Sequence, residues 1–249
     1  MDVKFWLGYV SEWLGAVAVI MIAGASPLLR KIRQIEFRFA RRDATYALSL
    51  FAVAYLAAFQ FFSNPIFQFL RDFSQRFSSG ELAERTLLAV ICLVPFVLAM
   101  VLRGQPLKSI GWGKANLKAG ATTGFLMLML TVFLRGKFST LLHGISPDQS
   151  NQLMVWVVLA LAEETIFRGY IHLRLSSYFG KTWGWLATVV LFVLWQLPGR
   201  LGVLPFTQLW PLLLIALVQG LLLGWIMRKS GHVLATTLFR IASGWLLLI

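Results

Sequence analysis

Glu163 and Glu164 are adjacent acids, with Arg168 four residues beyond the second, in a run otherwise suited to lipid. Met154-Val155-Trp156-Val157-Val158-Leu159-Ala160-Leu161-Ala162 leads into Glu163-Glu164-Thr165-Ile166-Phe167-Arg168. A carboxylate at membrane depth costs on the order of 3 kcal/mol even on insertion scales, so two in succession mark a functional site. The chemistry open to them is proton transfer by a buried base, or a buried ionic lock. At about 100° per residue, a helix puts Glu164 and Arg168 on one face and turns Glu163 to the next. One carboxylate therefore has a local cation, and the other is free to face another element.

The elements that hold these residues are membrane helices. Of 249 residues, 58% are hydrophobic and only 13% charged, with a mean hydropathy of +0.74. That composition belongs to an all-α, polytopic membrane protein rather than to a soluble core. Eight stretches qualify, near 9–29, 44–62, 86–102, 119–134, 153–172, 183–197, 209–227 and 232–249, within one helical domain spanning 1–249. Glu163 falls about ten residues into the fifth, roughly 15 Å of rise. Pro95 is expected to kink the third, and Pro198 to end the sixth. The first run has no signal-peptide cleavage pattern and counts as a retained span. Residues 63–85 alternate Phe67, Phe69, Leu70, Phe73 and Phe77 with polar side chains, which predicts an amphipathic connector lying at the interface.

The net charge of +13 is spread over short loops. Nucleic acid is a poor partner for such a pattern; membrane topology explains it better, and the bilayer itself is the expected surroundings. Loops after the odd-numbered spans, with the adjoining helix ends, hold fifteen basic residues, among them Arg30, Lys31, Arg33, Arg41 and Arg42. The other side holds seven. Both termini are thus predicted to be non-cytoplasmic, in a bacterial-type plasma membrane.

Arg240 stands alone in the last span, too deep to snorkel easily, and calls for an internal partner, with Glu163 the first candidate. His143, His172 and His232 lie apart without metal-ligand spacing and are expected at surfaces or interfaces, so no metal and no cofactor is expected. Glu12, near the start of the first span, is expected to be snorkelled or hydrogen-bonded. Cys92 reads as a small buried hydrophobe. Gly220 and Gly224, four apart, permit close helix approach.

The string Glu163-Glu164-Thr165-Ile166-Phe167-Arg168-Gly169-Tyr170 resembles the Glu-Glu-x-x-x-Arg motif of the CAAX protease and bacteriocin-processing family, the Abi-type intramembrane endopeptidases. The resemblance extends over 119–249. Gly224-Trp225-Ile226-Met227-Arg228-Lys229-Ser230-Gly231 is similar to the family's lead into its final helix. Leu107-Lys108-Ser109-Ile110-Gly111-Trp112-Gly113 is similar to its linker after the third helix. The resemblance implies an all-α bundle, with Glu163 as the base that activates water and Glu164 with Arg168 as its supporting pair. It also implies a histidine from Phe-x-x-x-His and a His-x-x-x-Asn pair on the last helix. Here the second motif ends in Gln196, and alignment on Ser230-Gly231 puts Arg240 at the second histidine and Gly244 at the asparagine. Glutamine orients water but exchanges no proton at neutral pH, and arginine is permanently cationic. The expectation is a homologue with impaired catalysis at Glu163, Glu164, Arg168, Gln196 and Arg240, binding or scaffolding a membrane protein. The alternative is an active endopeptidase acting on a membrane-associated peptide.

Overall fold

A computed structural model describes residues 3–248 except 27, 28, 30, 31, 33, 34, 78 and 202. Pro27 and Leu28 of the first expected span, the loop cations Arg30, Lys31 and Arg33, and Ile249 of the last span lie outside the described residues. The described chain is all helix, without strands. In order it forms α1 (Val3–Ala25), α2 (Ala40–Ser63), α3 (Gln68–Ser74), α4 (Gly80–Leu102), α5 (Leu117–Leu134) and α6 (Phe138–Leu142). Then come α7 (Pro147–Glu164), a π-helical segment (Thr165–Ile171), α8 (His172–Phe179), α9 (Lys181–Leu194), α10 (Phe206–Ser230) and α11 (Val233–Trp245).

Among the described residues, five helical segments are long and apolar enough to cross a membrane: Phe5–Ala25, Ala40–Ser63, Gly80–Leu102, Lys114–Leu134 and Phe206–Ser230. The chain is an integral membrane protein, and of the eight expected spans these five meet the length and composition of a crossing helix. The three segments that fall short carry the site. α9 and α11 have 14 and 13 residues, roughly 20 Å of rise against a hydrocarbon core of about 30 Å. α11 is buried along most of its length, whereas α9 buries Gly184, Thr188, Val189 and Phe192 and leaves Trp183 and Val190 exposed.

Several boundaries move for local reasons. The fifth segment starts at Pro147, six residues early, because Ser146 and Gln149 form a reciprocal capping box with Pro147 in the first turn. It then continues through the π segment to Phe179. The third begins at Gly80 and runs through Pro95 to Leu102, so the connector shrinks to a 3-10 turn at Pro65–Phe67 and α3. The sixth ends at Leu194, before Pro198: Gln196 and Leu197 already bond back three residues to Val193 and Leu194. A tightened last turn of this kind closes a helix without proline.

The π segment and its flanking helices are the central rod. α7 packs on α4 and α11, while α8 packs on α2 and α9; α5 packs on α11, and α1 lies against α5 and α10. The buried face of α2 is Ala44, Ala47, Phe51, Ala54, Ala58 and Phe61. Small residues at three- and four-residue spacing let backbones approach, which matters in lipid because hydrophobicity alone does not pull helices together. The Gly220/Gly224 pair serves the same end inside the chain. A Cβ on Gly224 would meet the Trp185 ring of α9 at 2.3 Å, and Trp185 Nε1 donates to the Leu221 carbonyl at 3.2 Å.

A close backbone contact joins α8 to α9. A Cβ on Gly184 would lie 2.3 Å from the Ser176 backbone nitrogen and 2.4 Å from its Cα. Backbone cannot rotate away, so Gly184→Ala is expected to lower stability by about 1–3 kcal/mol through overpacking. Thermal unfolding in detergent checks this; an unchanged midpoint would mean that α8 and α9 separate freely.

Of the two alternatives for Glu12, the structure has the hydrogen-bonded one: it is 1% exposed and accepts Arg135 Nη2 at 2.6 Å and Nε at 3.1 Å. Gly8 makes room for that guanidinium, since a Cβ there would stand 2.7 Å from Arg135 Nη1. His172 and His232 are buried, not superficial; only His143 is exposed. His232 is the N-cap of α11, its Nδ1 accepting the Leu234 amide at 3.0 Å. Cys92 is buried and unpaired.

Candidate functional site

The site sits where α7 passes into the π segment, opposite the middle of α11 and the end of α9. The loop after α4 wedges it in place. Its 3-10 turn, Leu107–Ile110, rests on the π segment, and a Cβ on Gly169 would strike the Ile110 carbonyl at 2.3 Å. Gly111 turns the chain with φ +77°, and its carbonyl accepts the Val233 amide at 3.1 Å, which fixes the start of α11. Trp112 Nε1 donates to Thr165 Oγ1 at 3.1 Å. The linker picked out in the sequence thus ties together the two helices that carry the charges.

Glu164 and Arg168 are fully buried, with Arg168 Nε 3.5 Å from Glu164 Oε2. Glu163 turns to the adjacent face and meets Arg240 Nη2 at Oε2. Trp195 Nε1 donates to its other oxygen, Oε1, at 3.1 Å. Arg240 reaches Glu164 as well, with Nε 3.9 Å from Oε1. The result is a quartet of two carboxylates and two guanidiniums, balanced in charge. The Phe192 ring lies between the cations, 4.7 Å from the Arg168 guanidinium carbon and 4.9 Å from that of Arg240. Pairing of this sort is what allows charge to persist in a low-dielectric interior.

Only part of the quartet is reachable. Glu163 and Arg240 line a cavity of about 500 Å³ together with Gln196, while Glu164 and Arg168 lie behind it. The cavity's mouth is bordered by Phe62, Glu81, Arg85, Arg200 and Leu248, at the end of the bundle where α2 stops and α4 starts. Gln196 is turned toward the mouth: its Oε1 accepts Arg200 Nη1 at 2.9 Å, and Arg200 also bonds its carbonyl at 3.1 Å.

Three participants escaped the sequence reading. Trp195 stands beside Gln196, yet a tryptophan among ten gives no sign that its N–H meets a carboxylate. Gln219 accepts from Arg240 Nη1 at 3.5 Å and faces Ser243 Oγ at 3.4 Å. Its signal was present: a lone amide between the apolar run Pro211–Val218 and Gly220. Phe192 stands four residues before Gln196, and nothing in the sequence places its ring beside two guanidiniums. Gly244, at the position aligned with the family's asparagine, abuts Trp156 so closely that a Cβ would meet the indole at 2.3 Å.

Chemically, Glu163 is a carboxylate open to a cavity but with both oxygens engaged, one by an ion pair. No histidine among the described residues belongs to the cavity wall. Among the described residues, no group of three or more His, Cys, Asp or Glu could hold a metal ion.

Comparison with known proteins agrees with this placement. Residues 150–246 match the family model described as type II CAAX prenyl endopeptidase Rce1-like. No curated protein and no solved structure matches the chain. The matched stretch holds Glu163, Glu164, Arg168, Gln196 and Arg240, the whole of the charge quartet and most of the cavity floor. Residues 150–246, somewhat under half of the chain, thus match an Rce1-like domain of the type II CAAX prenyl endopeptidase kind.

Proposed function

We propose that the chain is a protease-type membrane protein with its base locked, holding a membrane-associated peptide or protein segment without hydrolysing it. One observation carries this reading: Arg240 stands in contact with both Glu163 and Glu164. A general base must offer a lone pair to the water it deprotonates. Here the two oxygens of Glu163 already accept from Trp195 and Arg240. The ion pair with Arg240 competes with water for the lone pairs that remain. Gln196 cannot shuttle that proton. Trp156 packed on Gly244 leaves no space for an oxyanion donor at that position. Each missing partner costs about 10²–10⁴-fold in an acid–base mechanism.

The cavity suits a bound segment: about 500 Å³ falls within the usual range for ligand sites. In this reading the chain acts as one helical domain. The excess of loop cations supports a topology with both termini, and with them the cavity mouth, on the non-cytoplasmic side of a bacterial-type plasma membrane. The test uses the purified full chain in nanodiscs with a farnesylated CAAX peptide and a library of membrane peptides. Binding without turnover is expected, and Glu163→Gln should leave the cleavage signal at background. Turnover that Glu163→Gln abolishes would make the chain an active endopeptidase and overturn the proposal.

A further inference from the structure

A second cavity, of about 500 Å³, lies at the opposite end of the bundle, between the start of α2 and the chain leaving α4. Arg38, Arg42, Arg103 and Lys108 line it, with Glu36 and Asp43 as the acids. Asp43 is already engaged, by Arg103 Nη2 at 2.5 Å and by Gln105 Nε2 at 3.4 Å. Among the described residues, Arg38, Arg42 and Lys108 make no ion pair. The cavity wall therefore holds more cation than its own acids neutralise.

Two further donors point to an anion. Ser109 is 5% exposed and lines the cavity, yet its Oγ finds no hydrogen-bond partner among the described residues. α2 begins without a side-chain cap, since Phe39 occupies that place. Its first-turn amides are thus left for an acceptor from outside, where the helix dipole also favours negative charge.

The height of the cavity identifies the source of that anion. Arg42 and Arg103 flank the ends of two membrane-crossing segments, Ala40–Ser63 and Gly80–Leu102, which is the level of lipid headgroups. Phe39 and Tyr46, half exposed, add aromatic rings at the same level, the usual residues of a membrane interface. The Phe39 ring also steadies the cations: the Arg42 and Arg38 guanidinium carbons lie 4.5 and 5.3 Å from its centre.

We propose that this pocket binds the phosphate of an anionic lipid headgroup, with Arg38, Arg42, Lys108 and Ser109 as its donors. The full chain in detergent is titrated with dioleoyl-phosphatidylglycerol, dioleoyl-phosphatidylcholine or inorganic phosphate, read by native mass spectrometry and by thermal shift. Phosphatidylglycerol is expected to bind and stabilise, and phosphatidylcholine not to. The pair Arg38→Gln and Arg42→Gln should weaken phosphatidylglycerol by about tenfold or more. Arg41→Gln, a neighbouring cation outside the cavity, should change it by less than about twofold. Ser109→Ala, a small internal change, should also weaken binding and serves should the double variant fail to fold. Equal affinity for the two lipids, or undiminished binding by the variants, would overturn the proposal. Displacement of phosphatidylglycerol by millimolar inorganic phosphate would assign the pocket to a soluble anion and overturn the lipid.

Discussion

Arg240→Met should lower the stability of the folded bundle by about 3–5 kcal/mol, the range for leaving a buried charge without its partner. Methionine fills much the same volume, so the loss reports charge rather than a cavity. Glu163 would keep only the Trp195 N–H, and Glu164 would depend on Arg168 alone, at 3.5 Å. Glu163→Gln should cost less, about 1–2 kcal/mol, because the amide still accepts hydrogen bonds and Arg240 still has Glu164 at 3.9 Å. Thermal unfolding in one detergent ranks the two variants. A loss below about 1 kcal/mol for Arg240→Met would mean that the guanidinium is not holding the acids.

Glu12→Leu should be comparably damaging, again by about 3–5 kcal/mol, for the same reason at a different place. Arg135 places two nitrogens on one Glu12 oxygen and lies 5.0 Å from the Tyr9 ring. Without the carboxylate, the cation is left against apolar helix with its side chain only 8% exposed. Arg135→Leu in the same chain should recover most of the loss, since an apolar pair of similar volume removes the stranded charge. Circular-dichroism melts of the single and double variants test this. A double variant no more stable than Glu12→Leu would show that α1 is held by something other than this ion pair.

What the sequence disclosed, and what it hid, follows from the range of each interaction. Glu164 and Arg168 were legible because i,i+4 geometry is local. The long apolar helices were legible because length and hydropathy are local too. Arg240 announced its need for a partner by its depth, but which atom it meets depends on how α11 packs against α7. The pairing of Glu12 with Arg135 joins residues 123 apart, so Glu12 read alone resembled an interfacial acid. The buried histidines were misplaced for a similar reason: His232 caps α11 beneath Trp112, their rings 5.5 Å apart, and that contact exists only once the loop after α4 has folded under the π segment. Among the described residues, five of the eight apolar stretches form helices long and apolar enough to cross a membrane; α9 and α11, with 14 and 13 residues, show that hydropathy marks an apolar helix without fixing its length.

The ion lock itself is tested most directly by a double-mutant cycle on Glu163→Gln and Arg240→Met, read as unfolding free energy in a single detergent. A coupling energy of about 2 kcal/mol or more is the expected result, since the two side chains share an ion pair in the interior. Additive losses, with coupling below about 0.5 kcal/mol, would show that Arg240 does not restrain Glu163 and would leave that carboxylate free to act on water.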